Sequence, residues 1–484
     1  VSRRLEIGLL IAILVFAFGL RLFYFSQTPN LLSAENEGFS KIHLMLQWDQ
    51  SPLPYPDTNF GPLHTILLWI PYKLTGQTVM PNRIMTLLFG MLMFWPLYRL
   101  VRRRFGPPEA LASAALLAGL YPLSVASVVT LSEVPFVFFI LLGLDLIDEL
   151  TLRPTIRWSR LVGGALAINA ACALRFEAWA LLPIIGLYVL IRRGWKEGLI
   201  FNALLAMFPL VHMYFCWRII GHPLSFLQVS AEVTAINTAR KAPSFRAVML
   251  LLSLGKTIGW PGLVLSVAGL VWSLRLRRLV LPALCALAML AVLEYKSLQA
   301  TIELDLLRYL ALAVGLLALY VGVAAAALLR AVKLSAVPVL AATLILAAVS
   351  TGFSYAKASW EIRLLEPTQE VFEMLEKLKP ELQPDDRILL GSEYHPVIVV
   401  ESGLGYDHFR LPHYLDGVRV APEEIQDIFR NWRPTVILAD VNEPMFSQDL
   451  QLPDGGEKII EDNVYRFRWK VRRWQCWRLI AGAP

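Results

Sequence analysis

The chain has 484 residues, of which 56% are apolar and only 17% charged, and its mean hydropathy is +0.54. Globular domains carry roughly a quarter charged residues, so an ordinary cytosolic enzyme, a disordered chain and a disulfide scaffold are excluded. The net charge of +7 comes from basic residues gathered in short loops between apolar runs. That pattern suits a membrane protein facing anionic headgroups rather than a partner of nucleic acid.

Apolar runs of about 20 residues set the spans, and the basic loops set their orientation. The first span, 7–25, follows Arg3 and Arg4 and has no small-residue cleavage site before the next polar loop, so it is read as retained. A long polar loop, 26–82, follows. Inside it, 62–74 is too short to cross and is bracketed by Pro62 and Pro71, which predicts an interfacial helix. Further spans are predicted at 83–101, 110–125, 134–150, 161–174, 178–191 and 199–219. After a second long loop, 221–248, come a span ending at Leu274, one at 280–293, one ending near Arg330 and one at 336–353.

With the N-terminus in the cytoplasm, every arginine-rich loop falls inside and every long loop outside. The fold class is therefore an α-helical polytopic membrane protein with about eleven spans in 1–353, followed by an extracytoplasmic α/β domain at 354–484. In that domain 366–378 is an amphipathic helix, 423–429 a second helix, and 387–390, 435–439, 464–467 and 476–480 are strands. Cys172, Cys216 and Cys285 lie in apolar runs and Cys476 in the tail, with no metal-binding spacing. Glu393, His395, Asp407, His408, His413 and Asp416 in the tail also match no ligand motif.

Charged groups at membrane depth cost several kcal/mol unless paired or hydrated, so they are site candidates by default. On the outer face these are Glu35, Glu37, Lys41, Asp57 and His64 in the first loop, Glu133 in the next turn, Arg175 and Glu177 in a third, and Glu303, Asp305 and Arg308-Tyr309 before the tenth span. The set suits group transfer from a lipid phosphate. A carboxylate takes the acceptor proton, and a cation holds the departing phosphate. Glu37 or Glu35 fits the first task and Arg308 the second. Each residue also has a plain structural reading. Glu35 and Glu37 solvate a loop, Ser132 or Glu133 caps a helix, Arg175 and Glu177 form an ion pair, and Arg308 anchors at the interface.

At these residues the chain resembles the GT-C membrane glycosyltransferases of the family 39 type, which include protein O-mannosyltransferases and the lipid A aminoarabinose transferase. The resemblance rests on Asn36-Glu37-Gly38-Phe39, on Gly61-Pro62-Leu63-His64 running to Leu74-Thr75-Gly76, on Arg83, on the basic exit from Arg102 to Gly106, on Tyr121-Pro122 with Glu133, on Arg175-Phe176-Glu177, and on Arg308-Tyr309. It implies an inverting transferase that moves a sugar from a polyprenyl phosphate to an acceptor hydroxyl outside the cytoplasm, in the cytoplasmic membrane. The acceptor is then a protein, a glycan or a glycolipid.

The resemblance makes a first-loop Asp the usual acid–base group, but Asn36 stands there, leaving Glu37 with Glu35 as its rival. It gives Glu133 a part in positioning the acceptor or a metal. It places Arg308, Tyr309, Arg175, Glu177, Asp57, His64 and Lys41 at the substrates. Some members use a divalent metal cation and others do not; Glu37 and Glu133 are its candidate ligands. Two rival readings are a transporter or flippase of a glycolipid and a non-catalytic glycolipid-binding homologue, the latter favoured by Asn36.

Overall fold

A computed structural model describes residues 2–27, 37–50, 61–152, 155, 157–225, 243–298, 310–331, 366–391, 395–410, 426–441 and 450–481. The chain forms two compact units. One comprises Val1–Asn30 and Pro54–Trp360, the other Leu31–Leu53 and Glu361–Pro484.

The first unit is helical. Among the described residues, five helices are long and apolar enough to cross a membrane: Arg3–Ser26, Met80–Arg104, Trp195–Ile219, Val280–Leu298 and Ala311–Leu328. A sixth is made by Val248–Ile258 and Trp260–Arg275 if that pair, bent by 104°, counts as one span. The bend falls at Gly259, whose φ of 80° suits a residue without Cβ, and Pro261 follows it. The expected spans at 110–125, 134–150, 161–174 and 178–191 are the helices Pro107–Gly119, Glu133–Leu152, Trp158–Leu174 and Leu182–Arg193. The first of these stops at Gly119: Leu120 is extended (φ −68°, ψ 113°), and the chain restarts as Tyr121–Ala126 with Pro122 in its first turn. The expected span at 336–353 lies outside the described residues. The short helix of the first loop is Pro62–Thr75, closed by Gly76 in the left-handed region.

Helix Ala311–Ala331 is the hub of the bundle, packed against Trp260–Arg275, Pro107–Gly119, Val280–Leu298 and Glu133–Leu152. Small residues let these backbones meet: a Cβ at Gly322 would collide with Ser113, and one at Gly269 with the Tyr320 carbonyl. Two buried guanidiniums tie further helices together. Arg83 Nε donates to the Val128 carbonyl at 2.9 Å and Nη2 to the Phe25 carbonyl at 3.0 Å. Arg21 Nε donates to Ser127 Oγ and Nη1 to the Ala17 carbonyl, both at 3.2 Å. A buried guanidinium needs such acceptors, so the arginine that opens the second span acts as a structural clamp.

The second unit contains a helix from the first loop, Glu37–Gln50, where the sequence predicts polar loop. Its apolar positions are few, but Ile42 and Met45 are fully buried, and the helix packs on His395–Ser402. Among the described residues six strands form one mixed sheet: β1 Ile388–Gly391, β2 Phe409–Arg410, β3 Val436–Asp440, β4 Glu457–Ile460, β5 Asn463–Val471 and β6 Trp474–Ala481. The order is β2-β1-β3-β6-β5-β4, parallel through β3 and antiparallel beyond it. Leu389, Phe429, Ile437, Tyr465 and Trp477 form its core.

Helix Glu366–Leu378 is where the sequence predicts it. Of the helix expected at 423–429, the described part begins at Gln426 and continues as the π-turn Ile428–Trp432. Glu393, His413 and Asp416 lie outside the described residues. His408 Nδ1 is 2.8 Å from the Asp386 carbonyl, which gives that imidazole a structural hydrogen bond.

Candidate active site

The site in the first unit is assembled at the start of helix Glu133–Leu152. Pro135 falls in the first turn, where a missing N–H costs nothing, and the Phe136 N–H donates to the Ser132 carbonyl at 3.0 Å. The positive end of the helix dipole favours a carboxylate at Glu133. Glu133 is only 4% exposed.

Arg175 arrives from the end of the neighbouring helix, Trp158–Leu174. Its N–H caps that helix on the Ala171 carbonyl at 2.9 Å, and its extended backbone (φ −149°, ψ 133°) turns the chain into the 3-10 segment Phe176–Leu181. Its guanidinium then bridges two carboxylates. Nη1 donates to Glu133 Oε1 at 2.5 Å, while Nη2 and Nε grip Glu177 Oε1 and Oε2 at 3.0 and 3.3 Å. Lys296, in the last turn of Val280–Leu298, brings its Nζ to 3.9 Å from Glu177 Oε1. Burial works to raise the Glu177 carboxyl, but the Arg175 and Lys296 cations and hydrogen bonds from Arg175 and its own backbone outweigh it and hold the group at about 2. Glu133 Oε2 is buried and, among the described residues, has no hydrogen-bond partner. The cluster thus pairs two carboxylates with two cations and leaves one buried carboxylate oxygen without a hydrogen bond among the described residues.

Two features hold this turn in place. A Cβ at Gly61 would collide with the Ala173 carbonyl and with Leu174, so glycine lets the start of Pro62–Thr75 lie against the end of the helix that carries Arg175. Phe176 packs at 4.8 Å from the His212 ring and edge-on at 5.7 Å from Trp179, and Phe208 closes on His212 at 5.7 Å.

The structure brings together three sequence-predicted residues, Glu133, Arg175 and Glu177. His64 is buried in the first turn of Pro62–Thr75. Lys41 is buried in the helix of the second unit, and Glu37 is the first residue of that helix. Glu35, Asp57, Arg308 and Tyr309 lie outside the described residues. The sequence reading missed Lys296 and His212. Lys296 sits in the polar close of an apolar run, Glu294-Tyr295-Lys296-Ser297, where only its facing partner distinguishes it from an interface anchor.

Among the described residues no three potential ligands gather to hold a metal ion. Glu133 and Glu177 flank a guanidinium, and a divalent cation placed beside Arg175 meets like-charge repulsion. Arg175 and Lys296 thus compensate that pair without a metal; a divalent cation held by Glu37 and Glu133 remains an expectation of the sequence resemblance.

A multi-pass helical bundle followed by a small mixed sheet defines the class: the chain has the GT-C fold of membrane glycosyltransferases. Residues 58–217, about a third of the chain, match the family described as dolichyl-phosphate-mannose-protein mannosyltransferase. Among solved structures the chain is similar to ArnT from Cupriavidus metallidurans bound to undecaprenyl phosphate, with 15% identity, a TM-score of 0.66 and 99% of both chains covered. It is also similar to the Archaeoglobus fulgidus oligosaccharyltransferase tethered with an acceptor peptide, with 12% identity and a TM-score of 0.56 over 92% of this chain and 70% of that one. The same archaeal protein in complex with Zn and sulfate matches with 13% identity and a TM-score of 0.52, over 90% and 68%. No curated protein matches the chain.

Proposed function

We propose that the chain is an inverting glycosyltransferase that moves a sugar from a polyprenyl-phosphate donor to an acceptor hydroxyl on the extracytoplasmic side. The observation that carries this reading is the buried Oε2 of Glu133, which has no hydrogen-bond partner among the described residues, on a carboxylate held by Arg175 at a helix N-terminus. Such an oxygen accepts a hydrogen bond from a sugar or acceptor hydroxyl that enters the cluster. The GT-C fold, the family match over 58–217 and the lipid phosphate bound by the similar ArnT support a lipid-linked donor.

In this reading the acceptor oxygen attacks the anomeric carbon as its proton passes to a carboxylate. The anomeric carbon–oxygen bond breaks, and the polyprenyl phosphate leaves with the electron pair. Glu133 orients the hydroxyl, and Arg175, acting through Glu133, is a positioning residue. The base is assigned to Glu37, with Glu35 as its rival, and the phosphate clamp to Arg308 and Tyr309; these assignments stand on the sequence motifs alone. So do the roles of Asp57, His64 and Lys41 at the substrates, the cytoplasmic N-terminus and the outer position of 354–484.

The test is a panel of synthetic polyprenyl-phosphate sugars offered to the purified protein in lipid, with and without divalent metal, following release of the lipid phosphate. Release with one donor, abolished in Glu133→Gln and in the Glu35→Gln/Glu37→Gln double variant, is expected. Full release in both variants overturns the residue assignment. Donor binding without release from any donor overturns the enzyme reading in favour of a binding homologue, and donor flux across liposomes without transfer does so in favour of a flippase.

A further inference from the structure

The other end of helix Glu133–Leu152, about 24 Å from Glu133 by helix rise, carries a second charged cluster with a cavity in it. A helix C-terminus disfavours negative charge, so Asp145, Asp148 and Glu149 need cations there. The basic close of helix Phe94–Arg104 supplies them. Arg103 contacts Asp145 and, at 3.0 Å, Asp148; Arg104 lies 2.6 Å from Asp148; Arg99 lies 2.8 Å from Glu149. Arg157 and Arg160 also reach Glu149, at 3.8 and 3.3 Å, and Arg102 pairs with Glu6 at 2.5 Å. The guanidiniums still outnumber the carboxylates they meet, so the cluster keeps an excess of positive charge.

A cavity of about 520 Å³ opens among these groups, lined by Arg99, Arg102, Arg103, Glu149 and Leu152. Arg99 and Arg102 direct Nε and Nη2 at carboxylates, and the Nη1 of each has no hydrogen-bond partner among the described residues. Exposed apolar side chains belong to the same elements: Leu152 is 44% exposed and Trp158 53%, and Trp95, 49% exposed, lies under the Arg99 guanidinium at 4.8 Å. Aromatic and aliphatic side chains in this setting mark the level of the lipid headgroups. Free guanidinium donors beside an apolar wall match an amphiphile with an anionic head, and the planar fork of arginine suits a phosphodiester.

We propose that this cavity binds the phosphate headgroup of an anionic membrane phospholipid, at the membrane face opposite the Glu133 cluster. The site is separate from the donor reading above and does not depend on it.

The test uses the full chain in neutral detergent, titrated with phosphatidylglycerol, phosphatidylcholine or inorganic phosphate, with retained lipid counted by native mass spectrometry. Phosphatidylglycerol is expected to be retained over phosphatidylcholine, and each of Arg99→Gln and Arg102→Gln to weaken it about fivefold. Leu152→Trp, which fills the cavity wall and leaves every charge in place, is expected to displace the same lipid, and it decides the matter if the arginine variants fail to fold. Competition by millimolar phosphate against phosphatidylglycerol supports headgroup recognition. Equal retention of the two lipids, or wild-type retention of phosphatidylglycerol in all three variants, overturns the proposal. Inorganic phosphate binding as tightly as phosphatidylglycerol overturns the lipid source and leaves a site for a soluble anion.

Discussion

Helix Glu133–Leu152 holds an ion cluster at each end, and the two are built on opposite plans. At its C-terminal end Asp145, Asp148, Glu149 and Glu6 are surrounded by a larger number of guanidiniums, although Asp145 Oδ2, 3.5 Å from Arg99 Nε, accepts no hydrogen bond among the described residues. At its N-terminal end a single arginine serves two carboxylates, and among the described residues Glu133 Oε2 has no hydrogen-bond partner. The first arrangement answers a structural need, because acidic groups at a helix C-terminus oppose the dipole and must be compensated. The second has no such need, because Glu133 already sits at the favourable end. A buried acceptor without a partner, beside one arginine shared by two carboxylates and not amid an excess of guanidiniums, makes the N-terminal end the candidate substrate site.

The contrast can be broken by substitution at either end. The largest expected effect is that of Glu133→Gln, which should lower release of the lipid phosphate by about a hundredfold or more in the donor assay. Asp148→Asn, at the other end, should cost about 3 kcal/mol in thermal or denaturant unfolding, since it removes the charge partner of Arg104 and one of the two partners of Arg103, while turnover of the folded fraction is unchanged. Comparable turnover losses from both would erase the distinction between the clusters.

Next in size is Gly61→Ala. The added methyl meets the Ala173 carbonyl and Leu174, so stability should fall by about 1–3 kcal/mol, and donor turnover with it, because Arg175 is the next residue along.

A smaller effect is expected from Glu177→Gln, read as a function of pH. The Glu177 carboxyl is held at about 2, below its ordinary 4.5, so its contribution to stability is fully present above about 4.5 and is lost as pH falls towards 2. The wild-type melting temperature should therefore drop more steeply than that of the variant over this window, and parallel curves would contradict the pairing. The smallest effect is that of Lys296→Met. With Nζ 3.9 Å away and a third of the side chain exposed, its loss should change stability by less than about 1 kcal/mol.

Much of the fold is legible in the chain because hydropathy acts locally. A run of about 20 apolar residues favours a helix wherever it packs, and most helices of the first unit occupy the predicted runs, although the run ending at Leu274 is broken at Gly259 and its first helix starts at Pro243, inside the expected loop. The strands β1, β3, β5 and β6 follow from short apolar segments between turns. β4 escaped notice because it lies at the sheet edge, with Glu457 and Ile459 exposed, and has little apolar pattern of its own. Val397-Ile398-Val399-Val400 favours a strand by propensity yet forms the helix His395–Ser402, all four residues buried, which is packing overriding local preference. Helix Glu37–Gln50 was missed for a related reason. Its buried face includes Lys41 and His43, which read as solvent-facing in the chain alone.

The amino-acid order by itself determined the membrane class, the runs that become helices, and Glu133, Arg175 and Glu177 as charges at membrane depth that require an explanation. These follow from transfer free energies, which depend on each residue and its near neighbours. Tertiary structure alone decided how the charges are shared. It turned Arg102–Arg104, read in sequence as a basic exit facing headgroups, into partners of acidic residues 42 to 45 positions away inside an expected span or, for Arg102, of Glu6. It gave Arg175 to both Glu133 and Glu177, added Lys296 to the second, and left one oxygen of the first without a hydrogen bond among the described residues. Ion pairing between helices depends on distances of a few ångströms between residues far apart in the chain, and only the packed bundle sets those distances.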